Sequence, residues 1–467
     1  MGNYLPEVSL GTGLTALEVY TGLSHTCVIT DDDNLKCWGK NNYGQLGQES
    51  IFTIGDNSSE LGNYLTNIDL SFFDVELCTD LAPTFTPTSN PTMDPTISHA
   101  PSTPPTIPPT FDPTFTPTFD PTLSPSFYFS EYSTCRSTFT KGEHNCVLFK
   151  DKKVKCWGNN GQNGVLGYED AVIRGDLAGQ MSDYLPYLNI PSISTLAAGT
   201  AHTCAISDTF SVYCWGRGLE GGLGTENIKN VGNATGEMGD YLIATNIGPS
   251  HLLPAVIQSG DEMTCIATME AKVKCWGDNK FGQLGYGDTL NRGDDANEMG
   301  NNLPFLNFAS AAYDPNLLAI GHSHSCVILN DITFQLKCWG ANGNGKLGYE
   351  DTTNRGKLAG QMGDYLPPVN VGAEDPMFVS LGKDHSCALM VDLLTLKCWG
   401  LNTSGQLGYG DLNDRGDDPN EMGNYLPNVI FSAAELPLEL SLGDSSTCAL
   451  SSSFQVKCWG ANTAGLI

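Results

Sequence analysis

The sequence predicts an all-β fold, a seven-bladed β-propeller, on three observations. A Cys…Cys-Trp-Gly motif occurs seven times and holds all seven tryptophans and fourteen of the sixteen cysteines. From Trp157 onward the tryptophans stand 58 to 63 residues apart, which is blade rather than helical-repeat spacing. Each repeat offers about four short strand signals and almost no helical periodicity.

The motif itself comes first. In His202–Gly216, HTCAISDTFSVYCWG, two runs rich in Val, Ile, Tyr and Trp flank a polar turn near Asp208 and Thr209, the pattern of a β-hairpin. With Cys204 opposite Cys214, Ile206 faces Val212, Ala205 faces Tyr213 and Thr203 faces Trp215. Opposed cysteines at a non-hydrogen-bonded pair are close enough to bond. The expected disulfides are Cys27–Cys37, Cys146–Cys156, Cys204–Cys214, Cys265–Cys275, Cys326–Cys338, Cys387–Cys398 and Cys448–Cys458. Zinc is the competing use of paired cysteines, but structural zinc ligands usually sit two to four residues apart, far closer than these.

A second element, MGNYLP at Met1, recurs with small changes at Leu61, Met181, Met238, Met299, Met362 and Met422. The YLPxV segment that begins within it is read as a strand in the same repeat as the hairpin that follows. An Ala/Leu-rich strand such as Ser194–Gly199 comes next, then the two hairpin strands. A glycine-rich turn (Gly282-Gln283-Leu284-Gly285) and an acidic loop complete the unit. The chain opens just before one such element and stops inside a glycine-rich turn, so the termini are expected to seal one ring across residues 1–467.

Trp38 and Trp157 are 119 residues apart, one repeat plus about 59 extra residues. Most of the excess is a Pro/Thr-rich tract at 82–126, inside the second repeat, with too little apolar periodicity to fold. It is expected to be a disordered, extended arm. The two unmatched cysteines flank it, and elimination assigns a Cys78–Cys135 clamp at its base. A boundary between two domains is the alternative, but one isolated repeat cannot bury its own apolar faces.

Composition then narrows function. Twenty-three Lys+Arg against 52 Asp+Glu leave a net charge of −29, which repels nucleic acid and anionic membrane surfaces. No apolar run approaches a membrane span, and no signal segment is visible at the start. Paired cysteines favour an oxidising, extracellular or cell-surface setting.

With Cys-Trp-Gly in register seven times, preceded in four copies by His-Thr/Ser-Cys and followed in three by Gly-Gln-Leu-Gly, the chain resembles the regulator of chromosome condensation repeat family over everything except the Pro/Thr arm. The resemblance implies a seven-bladed propeller. The cysteine-paired form with its RGDxxNEMG loop is similar to variants in bacterial and protist surface or secreted proteins. The founding member is a guanine-nucleotide exchange factor that also binds chromatin; the basic tail and wedge insertion of that role are not found here. A plant ultraviolet-B photoreceptor of the family uses a tryptophan before the motif histidine, where this chain has Glu143, Ala201 and Ser323. A bacterial β-lactamase inhibitor uses the ring as a protein-binding surface, a non-enzymatic role.

Candidate sites follow. His25, His144, His202, His324 and His385 precede the first motif cysteine by two residues and are expected to bond backbone groups between blades rather than to bind metal. The acidic loops suggest calcium through Asp288, Asp294, Asp295 and Glu298, and through Asp411, Asp414, Asp417, Asp418 and Glu421. Against that, the spacing departs from the twelve-residue calcium loop, and Arg292 and Arg415 favour internal Arg–Asp bonding. The Arg-Gly-Asp tripeptides at 174, 292 and 415 read as repeat consensus, not adhesion motifs. Asn57, Asn233 and Asn402 begin glycosylation sequons, usable only in a secreted protein. No catalytic constellation is found. The reading is a non-enzymatic, monomeric propeller that binds a protein or glycan through ring-face loops, with no cofactor unless calcium. A guanine-nucleotide exchange factor-like regulator of a small GTPase is the alternative.

Overall fold

The computed structural model describes residues 5–57, 59–70, 141–308, 317–329, 334–391, 395–431 and 435–467. The tract at 82–126 and the Cys78–Cys135 pair lie outside them. Contacts join Met1–Asp80 with Ser133–Ile467 into one compact unit.

That unit is a β-propeller. Blade 1 is Ala16–Thr21, His25–Thr30 and Leu35–Gly39; blade 2 shows His144–Leu148 and Val154–Gly158; blade 3 is Ile193–Ala198, His202–Ser207 and Val212–Gly216; blade 4 is Pro254–Ser259, Met263–Thr268 and Val273–Gly277. Blade 5 is Leu318–Ile320, His324–Ile328 and Leu336–Gly340; blade 6 is Pro376–Leu381, His385–Met390 and Leu396–Gly400; blade 7 is Pro437–Leu442, Ser446–Ser451 and Val456–Gly460. The described pairs are antiparallel, with the first hairpin strand in the middle wherever three strands are described.

The hairpin register is the one expected. Cys204 pairs with Cys214, Ile206 with Val212, Ala205 with Tyr213 and Thr203 with Trp215. Seven hairpin disulfides are formed, each with Cα atoms 4.1 Å apart. The seven tryptophans are at most 1% exposed and head the cores between blades.

The Tyr-Leu-Pro element differs from expectation twice. It is not a strand: Gly62–Tyr64, Ser182–Tyr184, Gly239–Tyr241, Gly363–Tyr365 and Gly423–Tyr425 are single 3-10 turns. The extended segment after each turn belongs to the blade before it, not after. Ile68 N–H donates to Leu35 O, Leu188 to Val154 O, Leu306 to Val273 O and Val429 to Leu396 O. One hydrogen bond per blade is too little for a ladder, so the segment is an outer fringe rather than a fourth strand. The same rule closes the ring, because Val8 N–H donates to Val456 O at 2.9 Å. The N-terminal segment therefore completes blade 7.

Buried lysines pin this fringe. Lys36 Nζ donates to Leu65 O at 2.6 Å, and Lys274 Nζ to Ile247 O at 2.9 Å and Gly300 O at 2.7 Å. Burial lowers both pKa values, and the carbonyls stand in for the water each ammonium gave up.

Candidate binding surface

The motif side chains are consumed by the frame. Trp276 Nε1 donates to Gly222 O at 3.0 Å, and Thr264 Oγ1 donates to the same carbonyl at 3.0 Å. His202 Nε2, from blade 3, lies 2.8 Å from Thr264 Oγ1 in blade 4. Equivalent relays run from His25 to Asn145, His144 to Thr203, His324 to Ser386 and His385 to Thr447. The histidines thus bond side chains of the next blade, not the backbone groups expected from sequence. The tryptophan bond circles the whole ring, since Trp38 Nε1 donates to Leu466 O at 3.1 Å.

This geometry sets the charge state. A threonine or serine hydroxyl has one proton and spends it on the carbonyl, so the histidine must donate from Nε2. Nδ1 of His25, His202, His324 and His385 is then buried without a partner. Protonating it would bury an unsatisfied cation, and burial accordingly pushes His144 down to about 3 and His202 and His385 to about 4. The sign follows: the unfolded chain takes up these protons below about pH 6.5 while the folded chain refuses them until about pH 3–4. Each of these three histidines therefore costs about 2 kcal/mol of stability at pH 5, and burial shifts His25 and His324 in the same direction. Glu262 and Asp444, raised chiefly by burial to about 7 and about 6, favour the fold as pH falls and offset part of this. Five histidines outweigh two carboxyls, so the thermal midpoint is expected to fall between pH 7 and pH 5; an unchanged midpoint would contradict the relay.

The acidic loops serve the frame too. Arg292 pairs with Asp288 and Arg415 with Asp411, both at 2.8 Å, and the guanidinium carbons lie 5.4 and 5.7 Å from the ring centres of Tyr286 and Tyr409. Glu298 Oε2 accepts the N–H groups of Gly293 and Asp295; Glu421 Oε2 accepts those of Gly416, Asp417 and Asp418. Asp414 accepts Asn402 N–H. Asp294 and Asp417 lean on Glu298 and Glu421, and burial raises both above the usual carboxylate range. Asp295 and Asp418 point to solvent. The carboxylates of Asp288, Asp411, Asp414, Glu298 and Glu421 are thus engaged by arginine and backbone donors within a folded turn. Among the described residues no three His, Cys, Asp or Glu are grouped to hold a metal.

The sequons separate. Asn57 is exposed and Asn233 half-buried. Asn402 is fully buried, and its Nδ2 donates to Asp411 O at 3.0 Å, as Asn279 and Asn342 do to Asp288 and Asp351. Its sequon is a by-product of that turn and leaves no space for a sugar.

A polar, open cavity of about 580 Å³ lies where blades 3 and 4 meet. Arg217 reaches from the end of blade 3 to Glu262 at 2.7 Å, Asn291 Nδ2 donates to Glu220 Oε2 at 2.8 Å, and Asp261, Asp278 and Lys280 complete the charged lining. Thr200 and Ala201 keep one wall small. Glu262 rises to about 7 because burial outweighs Arg217, with Asp261, Glu220 and Asp278 adding repulsion. Sequence reasoning missed this site. Its signal was departure from the repeat: the residue before the motif is Glu at 143 and 262 and Asp at 384, but Ser or Ala elsewhere.

Comparison with known proteins bears on this frame. The Regulator of chromosome condensation (RCC1) repeat model matches residues 18–45, the first blade's hairpin and the turn after it. Over those residues the chain matches that family's repeat. The Ultraviolet-B receptor UVR8 of Arabidopsis thaliana is 29% identical over 330 residues, 69% of this chain and 64% of the receptor. Probable E3 ubiquitin-protein ligase HERC4 of Homo sapiens is 27% identical over 252 residues, 51% of this chain but only 21% of the ligase. Among solved structures, Prp20p from Saccharomyces cerevisiae, described with its binding to Gsp1p and histones, superposes with a TM-score of 0.58 at 17% identity, covering 95% of this chain and 81% of its own. Human WBSCR16 gives 0.57 at 14% identity, covering 97% and 88%. The RCC1-like propeller is therefore the fold of this repeat array. The match spans less than two thirds of either curated relative.

Proposed function

We propose that this chain is a non-enzymatic binding propeller of an oxidising, extracellular or cell-surface setting. It recognises a protein or glycan through the polar cavity and loops at the junction of blades 3 and 4. The supporting observation is the division of labour just described. The motif histidines, tryptophans and cysteines, the residues best suited to chemistry, are locked into the frame, and Arg217, Glu220, Glu262 and Lys280 bring charge of both signs to the cavity between blades 3 and 4. Such a lining suits a polar or charged ligand group.

The GTPase-regulator reading draws only on the neighbour described with Gsp1p. Seven buried cross-strand disulfides and a charge of −29 favour it less. Screening the intact, disulfide-bonded chain on glycan and extracellular-protein arrays tests the proposal. Glu220→Ala with Lys280→Ala is expected to weaken the partner found by about tenfold or more at an unchanged thermal midpoint, since two charge-assisted contacts are removed. Binding indifferent to these changes, accelerated nucleotide release from a small GTPase, or free thiols in natively produced protein would contradict it.

A further inference from the structure

Outside the buried frame, the side chain that recurs most strictly is an exposed tyrosine. Tyr64, Tyr184, Tyr241, Tyr365 and Tyr425 end the five 3-10 turns and are 69–78% exposed, whereas the leucine after each is buried. The sequence has tyrosine here in six of seven repeats, with Asn302 in the other, while the buried motif histidine survives in only five. Among the described residues, none of the five rings or hydroxyls has a partner. An exposed side chain with no hydrogen bond or ring contact adds little stability, so the fold does not explain its retention.

The setting points to a partner. Each tyrosine follows an exposed Asn63, Asp183, Asp240, Asp364 or Asn424. Equivalent places in the blades of a closed ring lie on one circle, so the surface is a rim of phenol faces beside carboxylates and amides. None of these tyrosines lines the cavity between blades 3 and 4. Aromatic faces attract ammonium and guanidinium groups, and the neighbouring carboxylates and the charge of −29 reinforce that choice. A neutral sugar could stack on the rings but would gain nothing from the charge.

We propose that this rim is a multivalent docking surface for a Lys/Arg-rich polypeptide segment. Each exposed ring adds about two- to fivefold in affinity, and several engaged by one chain multiply through effective concentration.

The test uses the intact, oxidised chain with poly-L-lysine as probe and a neutral chito-oligosaccharide as comparison. The triple substitution Tyr184→Ser, Tyr241→Ser, Tyr365→Ser is expected to weaken poly-L-lysine at least about tenfold with an unchanged thermal midpoint. Tyr→Phe at the same positions, which keeps the ring, should retain binding. Tyrosine ring resonances of the unaltered chain should shift as probe is added, a readout independent of how any variant folds. Undiminished binding by the serine variant, unmoved ring resonances, or tyrosine-dependent capture of the sugar but not the polycation would overturn the proposal. The tyrosine variant keeps the cavity intact, so failure of the rim and failure of the cavity reading are told apart.

Discussion

Refolded in the presence of reductant, this chain is expected to lose its cooperative thermal transition at physiological temperature. Each hairpin disulfide joins cysteines 10 to 12 residues apart, and loop-closure entropy values such a bridge at about 2–3 kcal/mol. Seven together come to about 15–20 kcal/mol, more than the roughly 5–15 kcal/mol that typically separates folded from unfolded domains. The fourteen hairpin cysteines are at most 2% exposed, so reductant reaches them only after unfolding. Oxidised protein should therefore resist reductant until it is denatured. Circular dichroism of oxidised and reduced samples checks this, and matching transitions would show the bridges to be incidental. Removing one bridge, as Cys265→Ala with Cys275→Ala, should cost only about 2–3 kcal/mol and leave the ring closed.

The second large effect lies at the seam. Deleting residues 5–10 removes Val8 and Leu10, 6% and 2% exposed, from the core shared by blades 7 and 1. Burying a side chain of this kind is worth about 1.5–3 kcal/mol. The deletion also leaves Val456 O without its donor. A loss of about 4–7 kcal/mol follows from the two side chains and the bond. Alanine in place of the exposed Glu7 or Ser9 of the same segment should cost far less.

How far these features could be read beforehand depends on the physics that fixes each. The Cys204–Cys214 register was legible because strand alternation is strict and a one-residue slip would turn the apolar face outward. Blade number was legible because tryptophan spacing is. The blade that owns each Tyr-Leu-Pro segment was not, because a cyclic repeat reads the same whichever hairpin the segment joins. A single bond such as Ile68 N–H to Leu35 O decides it. The histidine relay stayed hidden because its partners, His202 and Thr264 among them, are a full repeat apart in sequence. That Glu298 and Glu421 cap backbone N–H groups was not legible, because carboxylates that cap and carboxylates that bind cations look alike in a string of letters. The cavity lay in the exceptions to the repeat, where pattern reading looks least.

The central claim is that seven blades form one wheel, with the last completed by the first residues of the chain. Native-state hydrogen exchange at the Val8 amide tests it most directly. The wheel predicts protection of Val8 comparable to Ile68, Leu188 and Val429, whose amides make the same bond in other blades. Exchange at Val8 as fast as in an unstructured peptide, with those three protected, would contradict it.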